Sequence, residues 1–333
     1  MDPMSQGLIG TTICQVVSKP KKIIAITIIS FLSALAPDLD VFIKSADDPI
    51  LFLEYHRQFT HSIFFIPIGG LICALFFNFL APKSANLSFK EIYFFCTLSY
   101  ASHGVIDAFT SYGTQLFWPF TNERISWNLI SVVDPIFTIP ILFMVIFTLI
   151  KNNKTFSYFA LGWIFIYFSF SSYQQTRAHD VISNIINDRK HLSKRLIIKP
   201  SFANIILWKT LYEHDNYYYI DAIRLGINPT FINGAKIKKL DIAESFAWLD
   251  ISSQQAKDIE RFRWFSDNYL SQSFEHPLQI MDVRFTSLPH TISPLWSIEL
   301  NPDANIDDHI KYVTNRKIKD RRYDNLLKII LNE

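Results

Sequence analysis

The chain is 333 residues long, 49% hydrophobic and 15% aromatic, with only 19% charged residues. That is too apolar for an ordinary soluble domain and too long for one compact unit. The net charge of +2, with basic and acidic residues matched along the chain, leaves no electrostatic footprint for nucleic acid. The cysteines Cys14, Cys73 and Cys96 all lie in apolar stretches of the first half, which excludes a disulfide framework and a thiolate zinc site.

Charge divides the chain. Residues 1–172 hold 10 Lys/Arg and 10 Asp/Glu, whereas residues 173–333 hold 22 and 20, so a membrane domain over 1–172 is expected to precede a soluble domain over 173–333. The opening "MDPMSQGLIG" lacks the basic start of a cleavable signal peptide. Residues 7–17 and 23–36 are short apolar runs joined at "SKPKK"; a helix of the second run reaches only about 21 Å, so the two read as a helical hairpin. The runs 61–81, 92–109, 129–150 and 156–172 approach or pass the length of a span. The expectation is an all-helical, multi-span membrane domain of about five spans plus a short N-terminal helix.

Basic residues orient it. Lys19, Lys21, Lys22, Lys83, Lys90, Lys151 and Lys154 fall on one set of short loops, and the opposite loops carry only Lys44, Arg57 and Arg124. The positive-inside rule then places residues 37–60, residues 107–128 and the C-terminal domain outside the cytoplasm. Asp38 and Asp40 in "APDLD", His56 and His61 in "YHRQFTHS", His103 and Asp107 in "SHGVID", and Asp134 in "VVDP" all gather at that outer face under an orientation deduced from Lys and Arg alone.

Ionisable groups at a membrane span are costly, which favours a function for them. His103 and Asp107 are four residues apart and share a helical face. "DLD" in extended conformation points both carboxylates one way. His56 and His61 lie about 140° apart on a straight helix, so they meet only if the chain bends at "RQFT", with Thr60 as a cap for the helix that follows. Asp134 before Pro135 reads equally as a helix N-cap. Three histidines and four aspartates, without thiolate, suit a mono- or dinuclear divalent metal site, zinc first and manganese or magnesium as alternatives. Asp40 or Asp134, whichever does not ligate, is available to take a proton. Arg57 is suited to an anionic phosphoryl group, or equally to snorkelling toward lipid headgroups.

The ordered blocks "MDPMSQGLIG", "PDLD", "YHRQFTHS", "SHGVIDAFTSYGTQLFWPF" and "DPIFTIPIL" resemble the bacterial inner-membrane metal-dependent hydrolases of the YdjM type over residues 1 to about 150. Less distinctive blocks, "NYYYIDAIRLG", "RFRWFSDNY", "IMDVRFTSLP" and "PLWSIEL", resemble the C-terminal domain of the longer members. The resemblance implies His56, His61, His103 and Asp107 in a metal site with Asp38 and Asp40 beside them. Gln6 stands where some members have histidine.

In the second half, residues 174–195 read as a charged helix leaving the membrane. "NYYYIDAIRLG", "LQIMDVRF" and "PLWSIEL" alternate as half-buried strands, giving a β-rich (α+β) domain. His179, Asp180, His191 and His214 have no ligand spacing and read as surface residues. The function expected is a membrane-bound hydrolase of an ester or phosphoester in a lipid-like or membrane-adjacent substrate. The rivals are a metal or ion transporter, which would place its ligands near the midplane and often shows internal repeats, and an assembly factor with a structural metal.

Overall fold

The structure is a computed structural model that describes residues 1–80, 86–315 and 321–331; Lys83 of the basic loop set lies outside them. The chain forms two units. The first comprises Met1–Phe42, Tyr55–Tyr173 and Phe202–Ile205, and the second Ile43–Glu54, Gln174–Ser201 and Ile206–Glu333.

The first unit is helical. Asp2 caps helix α1 (Pro3–Val17), its carboxylate accepting from Ser5 N–H, and Pro3 opens the helix, the arrangement that Asp at the cap and Pro at the first position favour. A 3-10 turn over Pro20–Lys22 leads into α2 (Ile23–Leu35), which confirms the hairpin at "SKPKK". After α2 the chain tightens into a 3-10 helix, Ala36–Phe42, then α3 (Leu51–Tyr55), a 3-10 turn at Phe59–His61, and α4 (Ile66–Leu80). Helix α5 (Phe89–Ala108) begins at a capping box, in which Ser88 and Glu91 satisfy each other's backbone N–H groups. Asp134 caps α6 (Pro135–Lys151), and α7 (Thr155–Asp188) follows. Helices α1, α2, α4 and α5 pack through buried Ile26, Ile29, Ala74, Ile92 and Cys96.

Among the described residues one helical stretch, Pro20–Phe42, is long and apolar enough to cross a bilayer, and a second qualifies if Leu51–His61 and Ile66–Leu80, bent by 85°, form one span. The five or so spans expected from the apolar runs are therefore not reached by length and hydropathy. The helices α4 and α6 have only 15 and 17 residues, and α5 is diluted by Ser, Tyr, His and Asp. The charged helix expected over residues 174–195 is the end of α7, which runs without a break from the apolar stretch and stops at Asp188.

The second unit is β-rich, with two antiparallel four-stranded sheets. Strands β1 (Leu196–Pro200), β2 (Leu207–His214), β3 (Tyr217–Leu225) and β4 (Pro229–Lys238) form the first in sequence order. Helices α8 (Ile242–Ser245) and α9 (Gln254–Phe265) precede β5 (Leu270–Gln272), β6 (Gln279–Asp282), β7 (Trp296–Glu299) and β8 (Lys311–Thr314), and α10 (Arg321–Leu331) ends the unit. The strands expected from "NYYYIDAIRLG", "LQIMDVRF" and "PLWSIEL" are β3, β6 and β7. Strand β6 is buried along its whole length instead of on one face. Asp282 tolerates that burial because Arg284 pairs with it at 2.8 Å.

Ile43–Glu54 groups with this second unit. Arg261 on α9 binds Asp48 at 2.7 Å and also contacts Glu54 and the fully buried Asp258, while Phe52 packs edge-on against Tyr312. His179 and Asp180 are 60% and 73% exposed, as a surface pair should be; His191 and His214 are half-buried and stacked on each other.

Candidate metal centre

Three elements of the first unit carry the centre. Helix α5 presents His103 and Asp107 one turn apart, both fully buried. Gly104 between them lets the backbone of the Phe59–His61 turn approach so closely that a Cβ there would lie 2.2 Å from the His61 carbonyl oxygen. Tyr100, one turn earlier, donates to the Thr60 carbonyl at 2.8 Å. The bend expected between His56 and His61 occurs at Arg57, whose φ of 65° is left-handed, a conformation that non-glycine residues seldom adopt. Thr60 is not a cap: it lies inside the 3-10 turn, and its hydroxyl donates to Asp40 Oδ2 at 2.7 Å.

"DLD" is not extended. It lies in the 3-10 helix Ala36–Phe42, where residues two apart point to different sides, so Asp38 and Asp40 meet different partners. Asp38, His61, His103 and Asp107 each bring a ligand atom within 4.8 Å of the others, and Asp38 forms a second such group with Asp40 and His56.

The first group has the dimensions of a coordination shell. His103 Nε2 lies 3.0 Å from His61 Nε2, 3.3 Å from Asp38 Oδ1 and 3.7 Å from Asp107 Oδ2. His61 Nε2 lies 3.4 Å from Asp38 Oδ1 and 3.3 Å from Asp107 Oδ2. A tetrahedron with zinc bonds of about 2.0–2.1 Å has edges of about 3.3–3.4 Å. The protons fit as well. His103 Nδ1 donates to the Ala34 carbonyl at 2.5 Å, and His61 Nδ1 faces Asp40 Oδ2 at 3.2 Å. With both Nδ1 protons directed outward, the two Nε2 atoms face each other and are placed to meet on one cation.

Asp107 completes the case. Its Oδ2 lies 2.9 Å from Arg57 Nε, yet neither buried atom has hydrogen-bond geometry to a partner, so Asp107 Oδ2 retains acceptor capacity toward the cluster. Its Oδ1 accepts from Gln6 Nε2 at 2.8 Å and from the Met1 amino group. Arg57 is 4% exposed, donates to Thr110 Oγ1 at 2.9 Å and lies over the Tyr112 ring. It therefore does not snorkel, and serves as the buried countercharge of Asp107.

Asp40 is fully engaged. Oδ1 bonds His56 Nδ1 at 2.7 Å, and Oδ2 accepts from Arg57 N–H at 3.0 Å and from Thr60. The His56 side chain is 22% exposed and that of Asp38 27%, whereas those of His61, His103 and Asp107 are sealed. The centre thus opens at Asp38 and His56. Asp134 is in neither ligand group: Oδ1 caps α6 at Ile136 and Phe137 N–H, and Oδ2 accepts from Tyr167 at 2.6 Å.

Tyr112 is a part of the site that the sequence motifs do not name; Gln6 is marked there only as standing where some relatives have histidine, and Thr60 only as a cap. Gln6 had a signal, an amide in the apolar helix α1. The other two had none beyond adjacency to a histidine or a loop position.

The YdjM inner membrane protein family matches residues 1–178, more than half of the chain. This chain belongs to that family. The uncharacterized protein YfhP of Bacillus subtilis (strain 168) is 23% identical over 288 residues, 85% of this chain and 84% of its own length. The inner membrane protein YbcI of Escherichia coli (strain K12) is 29% identical over 103 residues, 30% of this chain and 57% of its own length. No solved structure matches. The YdjM match spans every residue of the centre.

Proposed function

We propose that this YdjM-family chain is a bacterial inner-membrane, metal-dependent hydrolase acting on an ester or phosphoester of a membrane-adjacent substrate. The observation that carries the reading is the shell of Asp38, His61, His103 and Asp107, with ligand atoms at the edge lengths of a metal tetrahedron and two imidazole Nε2 atoms face to face. Zinc suits the nitrogen and oxygen donors best, with manganese or magnesium as alternatives. Several spans would bring these residues to the outer face of the inner membrane, with the C-terminal domain on the same side.

A divalent ion held there would polarise the scissile bond and make water a nucleophile near neutral pH. The chain's own groups divide the rest. Asp38 is the exposed ligand and belongs to both ligand groups, so substrate enters beside it. His56, aligned by Asp40 through Nδ1 and with no hydrogen bond at Nε2 among the described residues, receives the proton at the rim, with Asp40 supporting the imidazolium. Arg57 keeps Asp107 ionised and oriented, a different part from direct capture of phosphate. Asp134, with both oxygens occupied, anchors α6 to Tyr167.

The test is purified protein in detergent, with metal counted per chain and turnover measured on a panel of lipid esters and phosphodiesters. One ion per chain favours His56 as proton acceptor, and two favour His56, Asp40 and Asp38 as a second ligand set. His103→Ala should lose the metal and all turnover while the chain still folds, because alanine favours helix. Full metal content in that variant would refute the shell. Metal loss together with unfolding, and no substrate found for the parent, would make the metal structural.

A further inference from the structure

We infer that the end of the helical unit opposite the metal centre carries a binding site for the headgroup of an anionic phospholipid. A cleft of about 250 Å³ opens between the end of α1, the Pro20–Lys22 turn and the start of α5, with Lys19, Lys22, Lys90 and Glu91 around it and Val17 and Phe94 in its wall. Lys22 Nζ donates to both carboxylate oxygens of Glu91, at 2.7 and 2.9 Å. Lys19 and Lys90 are exposed and, among the described residues, have no carboxylate in salt-bridge range. Three ammonium groups against one carboxylate leave the cleft two positive charges in excess.

The apolar wall decides what kind of anion belongs there. Val17 is 51% exposed and Phe94 52%, side chains that a free phosphate would leave wet and an acyl chain would cover. On α2, Ile24, Ile28 and Leu32 are exposed at intervals of four residues, a stripe suited to lipid contact beginning just past the turn. The position agrees. Lys90 and Asp107 lie seventeen residues apart on the same helix α5, about 26 Å along its axis, close to the thickness of a bilayer's hydrocarbon core. The cleft is thus at headgroup depth on one face when the metal centre is at the other.

The experiment titrates the full chain in detergent with phosphatidylglycerol or phosphatidylcholine and reads bound lipid by native mass spectrometry. Phosphatidylglycerol should bind preferentially. Lys19→Gln with Lys90→Gln should weaken it about 25-fold, on about fivefold per lysine, while Lys151→Gln with Lys154→Gln, an equal loss of charge outside the cleft, should leave it unchanged. Val17→Glu, which adds a negative charge at the mouth, should weaken it independently. Glycerol phosphate in excess should not compete. Unchanged binding in the Lys19/Lys90 variant, equal loss in the Lys151/Lys154 control, or full competition by glycerol phosphate would each overturn the inference.

Discussion

Asp40 shows how much one carboxylate can organise. It orients two histidines, His56 and His61, and takes bonds from Arg57 N–H and Thr60. Asp40→Asn keeps the shape and removes the charge that fixes both rings. Metal affinity, measured by competition with a chelator, should fall about 10–100-fold, as for other groups that hold a ligand from behind; an unchanged affinity would return Asp40 to the role of a bystander. In the second unit the revealing residues are lysines. Lys199 and Lys209 face each other across β1 and β2 and are 7% and 3% exposed. Burial pushes both amines down from 10.5, that of Lys209 to about 7, although Lys209 keeps bonds to the Val283 carbonyl and Thr286. Between about 7 and 10.5 the unfolded chain therefore binds a proton that the folded one does not, so stability rises with pH across that window, by up to about 1.4 kcal/mol per pH unit for one such group. Lys209→Met should remove the share of the slope that Lys209 contributes in urea unfolding of the full chain, leaving that of Lys199. An identical pH profile in parent and variant would show that Lys209 keeps its charge on folding.

At the scale of elements, the HxxxD face of α5 was legible because helical periodicity alone brings His103 to Asp107. The cap at Asp134 was legible for a similar reason, since Asp before Pro needs only local chemistry. "DLD" was misread because extended and 3-10 backbones are not distinguished by three residues, and the outcome depends on what Asp38 and Asp40 meet. Among the described residues fewer stretches pass the length and hydropathy test than the apolar runs suggested, because a hydropathy run does not show where a helix ends: α4 and α6 stop at 15 and 17 residues. Gly104 had no local signal either, since its reason is the His61 backbone packed on it. Gly104→Ala tests that contact. Alanine would gain about 1 kcal/mol in helix propensity, but its Cβ would fall 2.2 Å from a backbone oxygen, and moving a backbone costs more, about 1–3 kcal/mol. The variant should therefore lose thermal stability and bound metal together. A Gly104→Ala protein at least as stable as the parent, with full metal, would show that the turn carrying His61 is free to move.

Across the whole molecule, helices first and sheets second could be read from the shift of charge, 10 Lys/Arg in residues 1–172 against 22 beyond, together with the change from apolar runs to alternation. That Ile43–Glu54 folds with the second unit could not be read, because Asp48 and Glu54 find their partner Arg261 more than 200 residues away. Orientation follows from quantities of the whole chain. Seven basic residues lie on the loops assigned to the cytoplasm and three on the opposite loops, and α5 carries Lys90 at one end and His103 and Asp107 at the other. Each lysine resists translocation across the membrane more than Asp or Glu does, so the lysine end of α5 should stay inside and the metal centre should face out. A reporter fused after Glu333 should then be active only outside the cytoplasm, and a cysteine placed at exposed Lys44 should react with an impermeant thiol reagent in intact cells. A cysteine at exposed Lys151 should react only after the membrane is opened. If the Lys44 position is shielded and the Lys151 position accessible, the chain is inverted, the metal centre faces the cytoplasm, and any substrate must be sought on the inner leaflet.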